Sequence, residues 1–299
     1  MGLCKTVFRE YLKALLYGAE ENIVKYMMQD TMLHMNMLKK ASVANFPSSM
    51  KLTEDFQIRI STITNSMVIE AENRSILFAT VHHLIAIDEK QQLYPFLFGG
   101  KYRFVMNREN KKIEEVWFDL EYVSGNTWLI KDKWIPLAKT RSNLPNEELM
   151  AGGGETIAGA IFRFLWGLDT CNGALAREFS ATDIYIERAG VDGDSYGCSG
   201  IESLEDFMAE DKAYYSQNQY SIHIDTIEMS GENSATVTAY HLYPANTGNK
   251  HLGSHNKYTQ FYNEMITLEL ERELSWKIKK IEFRRKENPV PYGYEVLEL

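Results

Sequence analysis

The feature that most narrows the fold of this chain is that its sequence returns on itself. "ATVHHLIAI" at 79–87 is answered by "ATVTAYHLY" at 235–243, and "KYRF" at 101–104 by "KYTQF" at 257–261, both at an offset of 156. "KIEEVWF" at 112–118 is answered by "KIKKIEF" at 277–283, at an offset of 165. Upstream, a shift of 152 sets Leu12 on Phe164, Leu16 on Leu168 and Ile23 on Leu175, and a shift of 153 sets Asp30 on Asp183. A long internal period of this kind marks a duplicated structural unit. The growing offset implies longer strands or loops in the second copy.

Each copy reads as a helix, a break, a second helix, and a strand beginning near the shared aspartate. The remainder alternates. "NSMVIEAENRSILFATVHHLIAI" predicts two strands around a turn at Glu72–Asn73, and "YTQFYNEMITLELERELSWKIKKIEFRR" predicts a long hairpin. "GIESLEDFMAEDKAYYSQ" (200–217) predicts one further helix in copy two. Helices followed by neighbouring strands indicate an α+β unit, an antiparallel sheet with helices on one face. The 299 residues leave room for two such domains. Copy one is expected over 1–135 and copy two over 156–299. Between them, "PLAKTRSNLPNEELMAGGGE" (136–155) carries two prolines, a polar cluster and three glycines, and reads as a linker. A phosphate loop would need a strand before the glycines and Lys-Ser/Thr after them. Glu155–Thr156 follow instead, so Gly152–Gly154 read as a hinge and Thr156 as the cap of the next helix.

Charge separates the halves without making either basic. Residues 1–150 hold 19 Lys and Arg against 18 Asp and Glu, and 151–299 hold 13 against 23. Neither half offers a surface that would track phosphates, so nucleic acid is not an expected partner. The apolar run Ala158–Leu168 is interrupted by Arg163 and is too short to span a bilayer. Gly2 with Thr6 fits an N-myristoylation pattern that a chance glycine satisfies equally well, and no membrane partner is expected. Three cysteines without close spacing indicate neither a disulfide framework nor a zinc site, and cytoplasmic residence is the expectation. "HLGSH" (251–255) has no acidic or cysteine neighbour, so no metal is expected.

A helix–break–helix with Gly18 or Asn172–Gly173 at the break, an Asp at the strand start and a sheet ending in "SWKIKKIEF" resembles the SnoaL-like group of the nuclear transport factor 2-like superfamily. "LDTCNGALAREFSATDIYIE" carries the resemblance in copy two, and "YGAEENIVKYMMQDTMLHM" with "KIEEVWFDL" carries it more loosely in copy one. The resemblance implies two cone-shaped domains of cystatin-like architecture. In each, a strongly bent antiparallel sheet wraps around the N-terminal helices and an apolar pocket opens at the wide end. It also implies pairing of the two domains within the chain, with further homo-oligomerisation open, and no cofactor. Relatives include ketosteroid isomerases, scytalone dehydratase, polyketide cyclases and non-catalytic members.

Enzymes of that superfamily move protons inside the pocket. In the isomerase pattern the base is a strand Asp five residues past the aspartate that opens the strand. Here those positions are Met35 and Arg188, neither of which is a base. A dehydratase-like site needs a histidine on the sheet, and His82 and His83 are adjacent on an expected strand. They point to opposite faces, His82 with Thr80 and Leu84, His83 with Val81 and Ile85. Asp30 or a tyrosine of the first helix, Tyr17 or Tyr11, would assist, although Asp30 equally suits a turn. Tyr11, Met35, Arg188, Tyr185, His241 and Tyr258 are the expected pocket residues. An inward Arg188 needs a carboxylate; otherwise it reaches to the rim. Tyr258 is matched to Tyr102 across the repeat, which favours packing. The expected function is binding of an apolar, ring-like small molecule with cofactor-independent lyase, isomerase or cyclase chemistry. The alternative is a non-catalytic binding or dimerisation module.

Overall fold

A computed structural model describes residues 2–17, 20–28, 30–35, 57–89, 92–125, 144–150, 155–189, 195–214, 220–245 and 260–285. The chain divides into two compact units, Met1–Pro145 and Asn146–Glu295.

Unit 1 opens with α1 (Gly2–Tyr17) and the short α2 (Glu20–Val24), followed by β1 (Met32–Met35), β2 (Ile58–Glu70), β3 (Arg74–Glu89), β4 (Gln92–Asn107) and β5 (Ile113–Gly125). Helical spacing puts Cys4, Val7, Phe8, Tyr11, Leu12, Leu15 and Leu16 on one buried face of α1 and leaves Arg9 and Lys13 outside. That face packs on Leu77, Ala79, Val81 and Ile85 of β3, and on Phe96, Phe98, Tyr102 and Phe104 of β4. Bulges at Ile63/Asn65, Gly99/Gly100 and Val105/Met106 interrupt the ladders, and such insertions bend and twist a sheet.

Unit 2 repeats the plan. It holds α3 (Ile157–Thr170), α4 (Gly173–Glu178), β6 (Ser180–Ala189), β7 (Ser195–Ser199), α5 (Leu204–Tyr214), β8 (Ser221–Met229), β9 (Ser234–Ala245), β10 (Gln260–Arg272) and β11 (Trp276–Arg285). The Thr156 hydroxyl accepts from Gly159 N–H at 3.1 Å and caps α3. Cys171, at φ 53°, turns the chain out of α3. A Cβ on Gly167 would lie 2.7 Å from the Ala176 nitrogen, so only glycine lets α4 pack this closely against α3.

The strand orders are β1-β5-β4-β3-β2 and β7-β6-β11-β10-β9-β8. Apart from the edge strand β7 they are the same order, which establishes the duplication. In each unit one ladder is parallel, β1 on β5 and β6 on β11, and the rest are antiparallel. The same backbone bond enters both parallel ladders, Ile113 N–H to Tyr26 O at 2.7 Å and Ile278 N–H to Phe179 O at 2.8 Å. From that anchor Met35 lies beside Phe118 and Arg188 beside Phe283, so these two residues occupy one position in the two copies.

Three details differ from the sequence expectation. The ladders set Tyr102 beside Phe118 and Ile266 beside Phe283, so Ile266 is the counterpart of Tyr102. Tyr258 is not that counterpart, and it lies outside the described residues. The slip begins upstream of that strand: Ala79 pairs with Tyr102 and Ala239 with Ile266, so Ala239, and not Ala235, answers Ala79, and the matched stretches 79–87 and 235–243 are also out of register. The strand of copy two begins at Ser180 rather than at Asp183, since the Ser180 hydroxyl folds back onto Ala176 O at 2.8 Å and starts the strand directly after α4. Within the stretch expected as linker, Glu147–Leu149 form a 3-10 turn, Leu149 is buried, and its carbonyl accepts from Arg163 Nε at 3.0 Å. Gly152–Gly154 and "HLGSH" lie outside the described residues.

Candidate functional site

In unit 1 a cleft of about 490 Å³ runs between α1 and β2, lined by Arg9, Leu12, Lys13, Leu16, Tyr17, Ser61, Thr62 and Ile63. One turn of α1 separates Arg9 from Lys13, and another separates Leu12 from Leu16, so a basic edge and an apolar wall lie side by side. Tyr17 is 55% exposed; its hydroxyl donates to Arg59 O, and Arg59 Nη1 donates to Leu16 O at 3.2 Å. Lys13 Nζ is 2.8 Å from Glu10 Oε1.

Behind this cleft stands His83. It is 1% exposed, its Nδ1 is 2.8 Å from Ser61 Oγ, and its Nε2 is 3.3 Å from the Tyr102 hydroxyl. The ring stacks on Phe98 with centroids 4.4 Å apart. Burial, with a smaller push from His82, drives the His83 pKa down to about 3. The imidazole is therefore neutral across the physiological range. Burial also raises the Tyr102 and Tyr11 hydroxyls above their usual range. His82 is half-buried and faces Thr62 and Gly99 across its ladders.

Of the other residues expected at this site, Tyr11 and Met35 are core, packed in the same cluster as Tyr102. Asp30 is exposed in the turn before β1. Tyr17 reaches the cleft but bonds to backbone. Neither histidine lines the cleft, and what His83 presents to it is the Ser61 hydroxyl. Ser61 went unnoticed in the sequence because a serine in a strand carries no signal of its own.

Unit 2 has a different interior. Arg188 is fully buried, with Nη1 2.6 Å from Asp211 Oδ1 and 3.0 Å from the Tyr220 hydroxyl, and Nη2 3.0 Å from Glu264 Oε2. His241 Nδ1 lies 3.2 Å from the same Glu264 oxygen, and the Tyr196 and Tyr220 hydroxyls donate to Asp211 at 2.6 and 2.9 Å. Burial alone would lower the Arg188 pKa, but Glu264 and Asp211 outweigh it and hold it well above its ordinary value. Of the expected pocket residues the structure brings Arg188 and His241 onto one carboxylate. Tyr185, one strand phase away, is 41% exposed and bonds to Glu187 at 3.2 Å. The partners had a legible signal. Asp211 continues the buried stripe Leu204, Phe207, Met208, and Glu264 continues the inward alternation of Ile266, Leu268 and Leu270.

Among the described residues no helix is long and apolar enough to cross a membrane. No family model and no curated protein matches this chain. Solved structures do. A ketosteroid isomerase-like protein from Erwinia carotovora is 12% identical, with a TM-score of 0.37 over 48% of this chain and 100% of its own. A cystatin-like-fold protein of unknown function from Nostoc punctiforme is 12% identical, with a TM-score of 0.34 over 45% of this chain and 91% of its own. An NTF-2 like protein of unknown function from Shewanella oneidensis is 12% identical, with a TM-score of 0.31 over 43% of this chain and 95% of its own. Both units of the present chain are α+β and built in one strand order, and each of these neighbours matches a span about the size of one of them.

Proposed function

We propose that unit 1 binds a small molecule with an apolar body and an anionic group in the cleft between α1 and β2. The observation that carries this reading is the composition of that cleft. Leu12, Leu16, Ile63 and the Tyr17 ring supply the apolar wall, Arg9 and Lys13 the positive edge, and Ser61 and Thr62 two hydroxyls. A concave, mostly apolar site with a few convergent polar groups is the usual form of a ligand site.

The reading favours binding over proton transfer. A general base works best with a pKa near the working pH and within hydrogen-bond reach of its substrate. His83, sealed behind Ser61 and neutral down to about pH 3, has neither property. Its role is to hold the Ser61 hydroxyl in one orientation toward the ligand.

The test is calorimetric titration with 1-naphthalenesulfonate and with neutral 1-naphthalenemethanol. Exposed ion pairs contribute up to about 1 kcal/mol each, so Arg9→Gln/Lys13→Gln is expected to weaken sulfonate binding about three- to thirtyfold. The alcohol is expected to bind the variant as it binds the native protein. Failure of both probes to bind the native protein, or an equal loss for both in the variant, refutes the reading.

A further inference from the structure

The buried ions of unit 2 are arranged as proteins arrange groups around a guanidinium ligand. Asp211 and Glu264 meet separate nitrogens of Arg188 at 2.6 and 3.0 Å. Two aromatic rings lie against the group, Phe283 at 4.8 Å and Tyr220 at 5.4 Å from Cζ to centroid, and they pack on each other with centroids 5.7 Å apart. Tyr220 is itself braced by stacking on His241, with centroids 5.0 Å apart. Carboxylates on separate nitrogens, with aromatic rings against the group, favour a planar, delocalised cation over a compact ammonium. β6 brings the arginine, α5, β10, β11 and the residue preceding β8 bring its direct neighbours, and β9 brings His241 behind Tyr220. In the other copy the matching position is Met35, which packs in the apolar cluster that holds Tyr11 and Tyr102.

We propose that the interior of unit 2 is a guanidinium receptor that the chain fills with its own Arg188, and that it accepts a free alkylguanidinium once that side chain is cut back. The two carboxylates outnumber the one guanidinium. Removing Arg188 therefore takes from both acids the guanidinium they share, the costly half of a broken buried pair. In Arg188→Ala the missing atoms beyond Cβ are those of ethylguanidinium, which is the probe.

The experiment follows thermal unfolding of R188A in millimolar ethylguanidinium chloride, with ethylammonium chloride at equal concentration as the control. The expected result is a lower melting temperature for R188A that ethylguanidinium raises saturably, with no rise in the native protein and none from ethylammonium. R188A/E264Q is expected to lose the response. Where R188A is recovered unfolded, the reading becomes refolding yield from urea, which ethylguanidinium is expected to increase and ethylammonium to leave unchanged. An absent response, one matched by ethylammonium, or one equal in the native protein overturns the proposal. R188K tests the same geometry without a ligand. One ammonium does not replace two nitrogens that bridge Asp211 and Glu264, so R188K is expected to melt below the native protein.

Discussion

His83 makes the stability of unit 1 depend on pH in a way that one residue controls. Its imidazole titrates at 6.5 in an exposed chain and at about 3 in the folded one. Between those values the unfolded chain takes up a proton that the folded chain refuses. The stabilisation is therefore complete above pH 6.5 and is lost progressively as pH falls toward 3. A shift of this size corresponds to about 5 kcal/mol in full, of which about 2 kcal/mol is lost by about pH 5. Carboxylates titrate in the same range, so the measurement must be differential. Urea unfolding of the native protein and of His83→Gln, at neutral pH and near pH 5, isolates the residue. Gln keeps a hydrogen-bonding group for Ser61 and removes the proton site. The gap between the two proteins is expected to narrow by about 2 kcal/mol on acidification, about thirtyfold in the folding constant. Histidine ring resonances provide the direct reading. A His83 C2 proton that titrates with a midpoint near 6.5 refutes the argument, as does an unchanged gap.

Two further predictions concern unit 2 and the thiols. Burial pushes Cys4 up to about 12 and Cys198 up to about 11, while Cys171 is exposed. At pH 8 a disulfide reagent is expected to modify one thiol quickly and the other two only after unfolding, and rapid modification of all three would contradict the burial described. Thr156→Ala removes the bond that caps α3 and is expected to cost about 1 kcal/mol of unit 2 stability in urea unfolding, whereas Thr156→Ser is expected to cost little.

The sequence disclosed the duplication and the fold class because both depend on periodicity, which survives substitution. The hairpin around Glu72–Asn73 and the helix at Leu204–Tyr214 were visible for the same reason. The facing of the two histidines was not. In β3 the run from Ser75 to Val81 is buried on both phases, Ile76, Phe78 and Thr80 as well as Leu77, Ala79 and Val81, so alternation gives no inward direction there. Arg188 was legible only as an arginine that needs a carboxylate if it faces inward, and its partners lie 23 and 76 residues away. Each of those partners looked like an ordinary surface acid until the periodicity of its own element was followed. The match of Tyr102 to Tyr258 failed because short stretches of like sequence were paired out of register, Ala79 with Ala235 where the ladders pair it with Ala239.

The parallel ladders also govern when each unit can form. In unit 1 the strand that follows the helices, Met32–Met35, is completed by Glu115–Phe118, and in unit 2 Tyr185–Arg188 are completed by Lys280–Phe283. Nearly the whole length of a unit must emerge from the ribosome before its sheet closes. Contacts of such long sequence separation slow folding and prolong the exposure of apolar surface. Helix α3, whose residues from Gly159 to Asp169 are all buried in the finished protein, is the segment with most to lose during that wait. Synthesis order gives the first unit all of its strands before the second has any, so the nascent chain carries one finished sheet while α3 still lacks its own.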